Sequence, residues 1–401
     1  MEFVELKKLC SMKSGGTPSR RKPEFYGGDF PWAKISDLEK SADGYVYDTV
    51  EKITKEALDS INNRVFEKGT LLLAMYGSVG KTAIAGIKLT SNQAILGLNI
   101  LDDEILNIFY LKYWFQLTKE ILLNRAVGGT LQNISKTIVS NLKVPLPKLE
   151  TQKKIAAILD EADKLRQLNK ELIAKYDVLT ESLFLEMFGD PVTNHKGWEF
   201  KTIEELVKNK KYSLKRGPFG GALKKDCFVE KGYLVYEQYH ALNNDFSFKR
   251  YFIDDKKFNE LKAFEVKPRD LIISCSGVYL GKLAMIPENA DKGIINQALL
   301  KVTLDEGKMR NDFFIFHFTQ KHFRETFFDA NRGAGIPNFP PMKEFKRFPF
   351  ISPPIELQNQ FAERVKIIEK QKQQAQESLQ KSEDLFNSLL QKAFKGELVK
   401  E

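Results

Sequence analysis

At 401 residues the chain is too long for one compact core, which predicts two or more folded units. Its 42% hydrophobic and 29% charged residues exclude a disordered or collagenous chain, and three widely spaced cysteines (Cys10, Cys227, Cys275) exclude a disulfide framework or CxxC metal site. The formal net charge of +9 favours a polyanionic partner such as nucleic acid.

From the start, MEFVELKKLC has no apolar core of signal-peptide length, and the longest apolar runs, such as Thr70 to Tyr76, fall far below the roughly 20 residues of a membrane span. A cytoplasmic protein in a reducing compartment is expected. Lys13-Ser14-Gly15-Gly16-Thr17-Pro18-Ser19-Arg20-Arg21-Lys22 predicts a small-residue loop ending in three cations, whose backbone N–H groups would approach phosphates closely. Gly69 to Ile84, GTLLLAMYGSVGKTAI, predicts two apolar strands about a tight turn. Its GSVGKT stretch ends like a P-loop, but Met75 stands where that motif needs its first glycine. The expectation is a hairpin turn with Lys81 facing solvent or a phosphate. Asn92-Gln93-Ala94 follows, then an aromatic helix from Asn107, a glycine loop from Gly128 to Asn133 and a proline strand from Val144 to Pro147.

A long helix comes next. Ile155, Ile158, Ala162, Leu165, Asn169, Leu172, Tyr176, Leu179 and Leu183 alternate three and four apart, a heptad seam with polar Asn169 on it. Phe188-Gly189-Asp190-Pro191 stops it with a glycine C-cap and a proline.

The remainder repeats the first part. Lys215-Arg216-Gly217-Pro218-Phe219-Gly220-Gly221-Ala222-Leu223-Lys224-Lys225 takes the place of the first basic loop. Arg269 to Ile286 repeats the two strands and turn, and Asn296-Gln297-Ala298 repeats the Asn-Gln-Ala step. An aromatic helix from Asp312, a glycine loop from Gly333 to Asn338 and a proline strand from Phe348 to Pro354 then recur in order. The offset stays between about 201 and 206 residues, which identifies a tandem duplication of a roughly 200-residue unit. A second seam runs Phe361, Val365, Ile368, Lys372, Ala375, Leu379, Ser382, Phe386, Leu389, Ala393 and stops near Gly396.

Short β-branched and aromatic strands, glycine turns and one helix per copy predict an α+β fold. The division expected is residues 1–150 and 191–354 for the two globular domains, with 151–190 and 355–401 as the helices. Each seam finds its simplest partner in the other, and an antiparallel pair would set the globular domains at opposite ends.

Other motifs read as structural. Asp190 with Glu199-Phe200-Lys201 is a loose nuclease-like pattern that begins at a helix stop. His317 and His322 are five apart, not the i, i+4 of a zinc pair, and His195 and His240 stand alone. No Asn/Asp-Pro-Pro-aromatic motif of an adenine methyltransferase occurs. A non-catalytic chain with no metal of its own is expected.

At this point the residues resemble a family. GGTPSRR, Pro31-Trp32-Ala33-Lys34-Ile35-Ser36-Asp37-Leu38, VPLPKLETQKKIAAILDEADKL, RGPFGGALKKDCFVEKGYLVYEQYHAL and ISPPIELQNQFAERV, in that order, are similar to the specificity subunit of Type I restriction–modification systems. The resemblance covers essentially the whole chain and is most specific at the two helical blocks. It implies two target recognition domains, each followed by a helix, with the helices packed as an antiparallel coiled coil. It further implies that each domain reads half of a split double-stranded DNA site. The helix pair would dock two modification subunits, and restriction subunits are the further partner. S-adenosylmethionine, ATP and magnesium would then belong to those partner subunits, and this chain would hold no cofactor.

Sequence would be read at groove edges, with cations positioning the backbone. The contacts expected are Arg20, Arg21, Lys22, Ser36, Tyr76, Lys81 and Gln132 in the first domain. In the second they are Lys215, Arg216, Lys224, Glu237, Gln238, His240, Tyr279, Lys282 and Arg332. The divergence of GSVGKT from GVYLGKL and of GGTLQN from GAGIPN predicts two different half-sites and an asymmetric target. The rival readings are a modification-only or related phage-defence system, an autonomous DNA-modifying enzyme, and a coiled-coil scaffold with no DNA role.

Overall fold

The computed structural model describes residues 2–41, 43–124, 133–208, 210–277, 280–328 and 339–399. The chain forms two compact units, Met1–Ile173 with Gln374–Glu401, and Ala174–Gln373. Each is α+β.

The first unit holds a five-stranded sheet in the order Cys10–Ser14, Ile95–Ile100, Leu71–Ala74, Thr82–Ala85, Tyr45–Val46. A four-stranded sheet accompanies it in the order Glu51–Ile53, Tyr26–Ala33, Leu89–Ser91, Val65–Phe66. The second unit repeats both with one strand fewer. Its sheets run Leu214–Arg216, Leu299–Val302, Leu271–Ser274, Leu283–Met285, and Phe252–Ile253, Tyr233–Tyr236, Gly293–Ile295, Glu265–Val266. The central strands Leu71–Ala74 and Leu271–Ser274 are buried at every position, as their unbroken apolar runs require of strands covered on both faces.

Two long helices, Leu149–Phe188 and Ile355–Lys395, take part in both units. Each starts on a buried glutamine that closes a joint. Gln152 donates to the carbonyls of Ile105 and Pro147 and accepts the Asn107 N–H, and Gln358 does the same with Lys308, Pro353 and Arg310. Gly189 and Gly396 end them at φ of 77° and 78°, a conformation glycine adopts without steric cost.

The helices pack antiparallel. In the first unit Asn169 Nδ2 lies 3.4 Å from Ser382 Oγ, and in the second Lys372 pairs with Asp177, so numbers rise on one helix as they fall on the other. The seam expected on the second helix is the one observed, from buried Phe361 through Ala375 and Ser382 to Ala393. On the first helix half of the expected seam is displaced. Ile155, Ala162 and Asn169 are buried, but Ile158, Leu165, Leu172 and Leu179 are 37–49% exposed. Leu159 and Thr180 are buried in their stead, with Arg166 and Ile173 half-covered between them. Arg166 fits an apolar seam because its guanidinium lies over the Phe386 ring at 3.9 Å and is neutralised by Asp163.

The two cores differ in chemistry. The first unit's main cluster is largely aliphatic, with Phe115 and Phe386 its phenylalanines, whereas the second packs twelve buried phenylalanines from Phe184 to Phe361. Neither long helix, nor any other described helix, is long and apolar enough to cross a membrane.

Candidate nucleic-acid interface

In each unit several strands end at one pole of the main sheet, and most of the expected contact residues lie there. In the first unit the loop after Ser14, the turn Met75–Lys81, the step Asn92–Ala94 and the short helix Ile35–Lys40 converge. The turn is closed by Ala74 N–H to the Lys81 carbonyl, with Gly77 and Gly80 at φ of 65° and 83°. This is a hairpin turn, as the missing P-loop glycine requires. Tyr76 projects from it 41% exposed, and Ser78 bonds Glu39 of the short helix. Ser36 is exposed on the same helix.

Arg20, Arg21 and Lys22 lie exposed beyond the glycines. Arg20 is already held, 2.7 Å from Glu51 and over the Tyr26 ring at 4.2 Å, and Lys22 stands over Phe25 at 5.0 Å. Lys81 is half-buried. Burial lowers its pKa below the ordinary lysine value, and the carboxylates of Glu39 and Asp163 supply the opposing charge.

Gly15, Gly16 and Gly217 do not offer free N–H groups, which corrects the sequence expectation at those positions. Gly15 N–H donates to Ile95 and Gly16 N–H to Ser91, while their carbonyls accept from Arg64 and the Trp32 indole. In the second unit Gly217 N–H donates to Leu299. A Cβ on Gly15 would stand 2.3 Å from the Ser91 carbonyl oxygen, and one on Gly217 would stand 1.8 Å from that of Asn296. Only glycine lets the two backbones approach so closely. The loops therefore anchor the pole, and contact with a partner falls to the side chains beyond them.

The second pole is built on the same frame. Ser274 N–H donates to Lys282, Cys275 N–H to Ala298 and Asn296 N–H to Tyr236, matching Ala74 to Lys81, Met75 to Ala94 and Asn92 to Ala33. Lys282 and Lys224 are exposed, and Arg216 Nε is buried with no hydrogen-bond partner among the described residues. Lys215 turns away, over Tyr212 and Phe264 at 5.3 and 5.1 Å. Gln238 is tied to Ser274 Oγ at 2.6 Å and to the Ser276 carbonyl. Glu237 is half-buried at the start of the helix Gln238–Asn243; burial raises its pKa and Arg250 opposes the rise.

His240 is corrected as a contact residue. It is fully buried, its Nδ1 accepts the Glu237 N–H at 2.9 Å and its Nε2 faces the Phe248 carbonyl at 2.9 Å. Asp37 does the same work in the first unit, accepting the Lys34 N–H at 2.7 Å. Both cap the short helix at the pole and leave no atom for a ligand. Asp190 is likewise structural, accepting the N–H groups of Val192 and Thr193. Gln132, Tyr279 and Arg332, with the glycine loops from Gly128 and Gly333, lie outside the described residues.

Two residues at the poles escaped the sequence reading. Gln93 and Gln297 are exposed at equivalent steps, each beside an asparagine whose Oδ1 caps the alanine N–H two residues on. Their amides suit adenine at a groove edge. The signal was present in the repeated Asn-Gln-Ala step, which served only as a landmark.

Residues 1–175 match the family described as the Type I restriction modification DNA specificity domain. The chain is similar to the Type I restriction enzyme MjaIX specificity subunit of Methanocaldococcus jannaschii, 27% identical over 226 residues, which is 52% of this chain and 51% of the relative. It therefore spans about half the length of that relative. The MjaVIII specificity subunit of the same organism matches at 22% identity over 97% of this chain and 91% of its own. Among solved structures the fold is shared with the Type I restriction–modification S subunit of M. genitalium, at a TM-score of 0.52 and 16% identity over 98% of this chain and 96% of the other.

Proposed function

Residues 1–175 belong to the DNA specificity family of Type I restriction–modification systems, and from that premise we propose that the chain is the non-catalytic subunit that reads a two-part DNA target. One observation carries the reading: a single frame, built twice, presents different side chains. Lys34, Ser36 and Tyr76 at the first pole stand where Glu237, Tyr239 and Ser276 stand at the second. Two readers of unlike chemistry address two unlike half-sites, so the target is asymmetric.

The exposed cations supply the sequence-independent attraction, and Tyr76, Gln93, Gln297 and Glu237 the discrimination. The exposed apolar row Ile158, Leu165, Leu172 and Leu179 on the first long helix is the docking face for adenine-methyltransferase subunits. Those partners bring S-adenosylmethionine, and restriction subunits, where present, bring ATP and magnesium.

Co-expression with a modification subunit, followed by mapping of methylated adenines across the host genome, tests the proposal. A split, asymmetric motif that disappears without this chain is expected. An assembled complex that methylates nothing new, or a symmetric motif, overturns it.

A further inference from the structure

The second unit carries a basic cavity lined by a segment that the first unit lacks at the corresponding place. In the first unit the helix Leu6–Leu9 runs directly into the strand Cys10–Ser14. In the second, residues 207–213 intervene between Ile203–Leu206 and Leu214–Arg216, and they bring Lys208, Lys210, Lys211 and Tyr212. With Lys262, Lys267 and Lys301 these line a cavity of about 350 Å³. It lies away from the pole, at the other ends of the same strands: Asp270 and Thr303 line it, while Cys275 and Asn296–Ala298 belong to the pole.

The charges there are not balanced. Lys262 pairs with Glu265 at 3.0 Å, Lys301 donates to the Glu265 carbonyl, and buried Asp270 is occupied by Thr303 and the Lys267 N–H. Lys208, Lys210, Lys211 and Lys267 have no ion-pair partner among the described residues. Yet the segment is held in place, with Lys208 N–H on Thr303, Ser213 N–H on Lys210 and Thr303 N–H on Ser213. Tyr212 sits at φ of 74°, a conformation that strains a bulky residue, and it is 39% exposed, with Lys211 and Lys215 at 5.0 and 5.3 Å from its ring. Four like charges gathered at one cavity, beside a partly exposed ring, make a surface suited to an anion. Lysines act as flexible point charges and are common phosphate binders.

We propose that this cavity is a second, phosphate-binding site, which holds a phosphoryl group of a nucleic-acid strand or of a free nucleotide between Lys208, Lys210, Lys211 and Lys267, with the Tyr212 ring open to stack on a base. The proposal stands apart from target reading at the poles.

The test uses the full chain and the variant Lys208→Gln/Lys210→Gln/Lys211→Gln, with circular dichroism to establish folding and Lys267→Gln as a milder second variant. Inorganic triphosphate, ATP, a non-specific duplex and polyglutamate are titrated against each. Triphosphate and ATP are expected to bind the wild type at least tenfold more tightly than the triple variant. If a strand is the source, the slope of log K for the duplex against log salt also falls by about 2–3, near 0.9 per lost phosphate contact; if a free nucleotide is, the slope holds while the ATP difference remains. Tyr212→Gly, which keeps the backbone conformation, is expected to weaken ATP more than triphosphate. Folded variants that bind triphosphate and duplex as the wild type does overturn the proposal, as does polyglutamate binding that equals triphosphate. Loss of DNA binding on substituting the pole residues leaves the triphosphate result unchanged, so the two readings fail separately.

Discussion

The two long helices share a heptad period and differ in how many apolar faces they carry. The second has one, and its buried residues enter the cores: Phe361 and Val365 in the second unit, Phe386, Leu390 and Ala393 in the first. The first has two: Ile155, Leu159, Ala162 and Asn169 face the second helix, and Ile158, Leu165, Leu172 and Leu179 face outward. The first helix thus exposes an apolar row while half-covering an arginine on its seam. The lesson is that one heptad period can leave an apolar row exposed on one helix and covered on the other.

The sharpest way to break this comparison is Leu165→Asp with Leu172→Asp. Association with a modification subunit is expected to weaken at least a hundredfold in a pull-down or interferometry titration, with the melting temperature shifted by no more than about 2 °C. The matched change Ile367→Asp, at a residue 59% exposed on the second helix, is expected to leave association unaltered.

Next in size are core truncations. Phe184 is fully buried and touches the rings of Phe188, Phe313 and Phe361, so Phe184→Ala is expected near the top of the range of about 3–5 kcal/mol by denaturant unfolding. Phe386→Ala removes one ring–ring contact, to Tyr113, and the stacking of Arg166, and belongs at the bottom of the same range.

Acid separates the two units. His317 is fully buried in the phenylalanine core, accepts the Ile351 N–H on Nε2, and burial lowers its pKa from 6.5 to about 3. The folded state therefore refuses a proton that the unfolded state accepts. Its contribution is intact above pH 6.5 and is lost as pH falls from there toward 3, by at most about 1.4 kcal/mol per pH unit. Trp114 occupies the equivalent place in the first unit and has no such dependence. The second unit is expected to unfold first on acidification, followed by hydrogen exchange, and His317→Phe to flatten the slope.

The smallest effect is at Asn169, buried on the seam and bonded to the Leu165 carbonyl and Ser382. Asn169→Leu is expected to raise the melting temperature by about 2–4 °C, roughly 1 kcal/mol, while loosening the register that the polar contact selects.

The duplication, the α+β class, both helix stops and the second seam were legible in the sequence because each rests on a local pattern of glycines, prolines and apolar spacing. The first seam was only half legible. Heptad spacing is the same for the row at Leu165 and the row at Arg166, and the leucines are the more apolar choice. What reverses it is the Phe386 ring, 220 positions away, over which the guanidinium lies. The poles were legible as places and not as roles. Lys13 to Lys22 marks the loop, but only the Ser91 and Asn92 backbone reveals why its glycines are needed. His240 reads as a ligand until the Glu237 N–H and the Phe248 carbonyl are seen to occupy it.

The division of the chain also sets an order of events. The first unit is completed by residues 374–401, whereas the second is continuous from Ala174 to Gln373. During synthesis the ribosome therefore finishes the second unit before it has made the strip containing Phe386, Leu390 and Ala393 that closes the first unit's core. Although it emerges first, the unit at the start of the chain must wait with an open apolar flank, and it is the natural client for a chaperone.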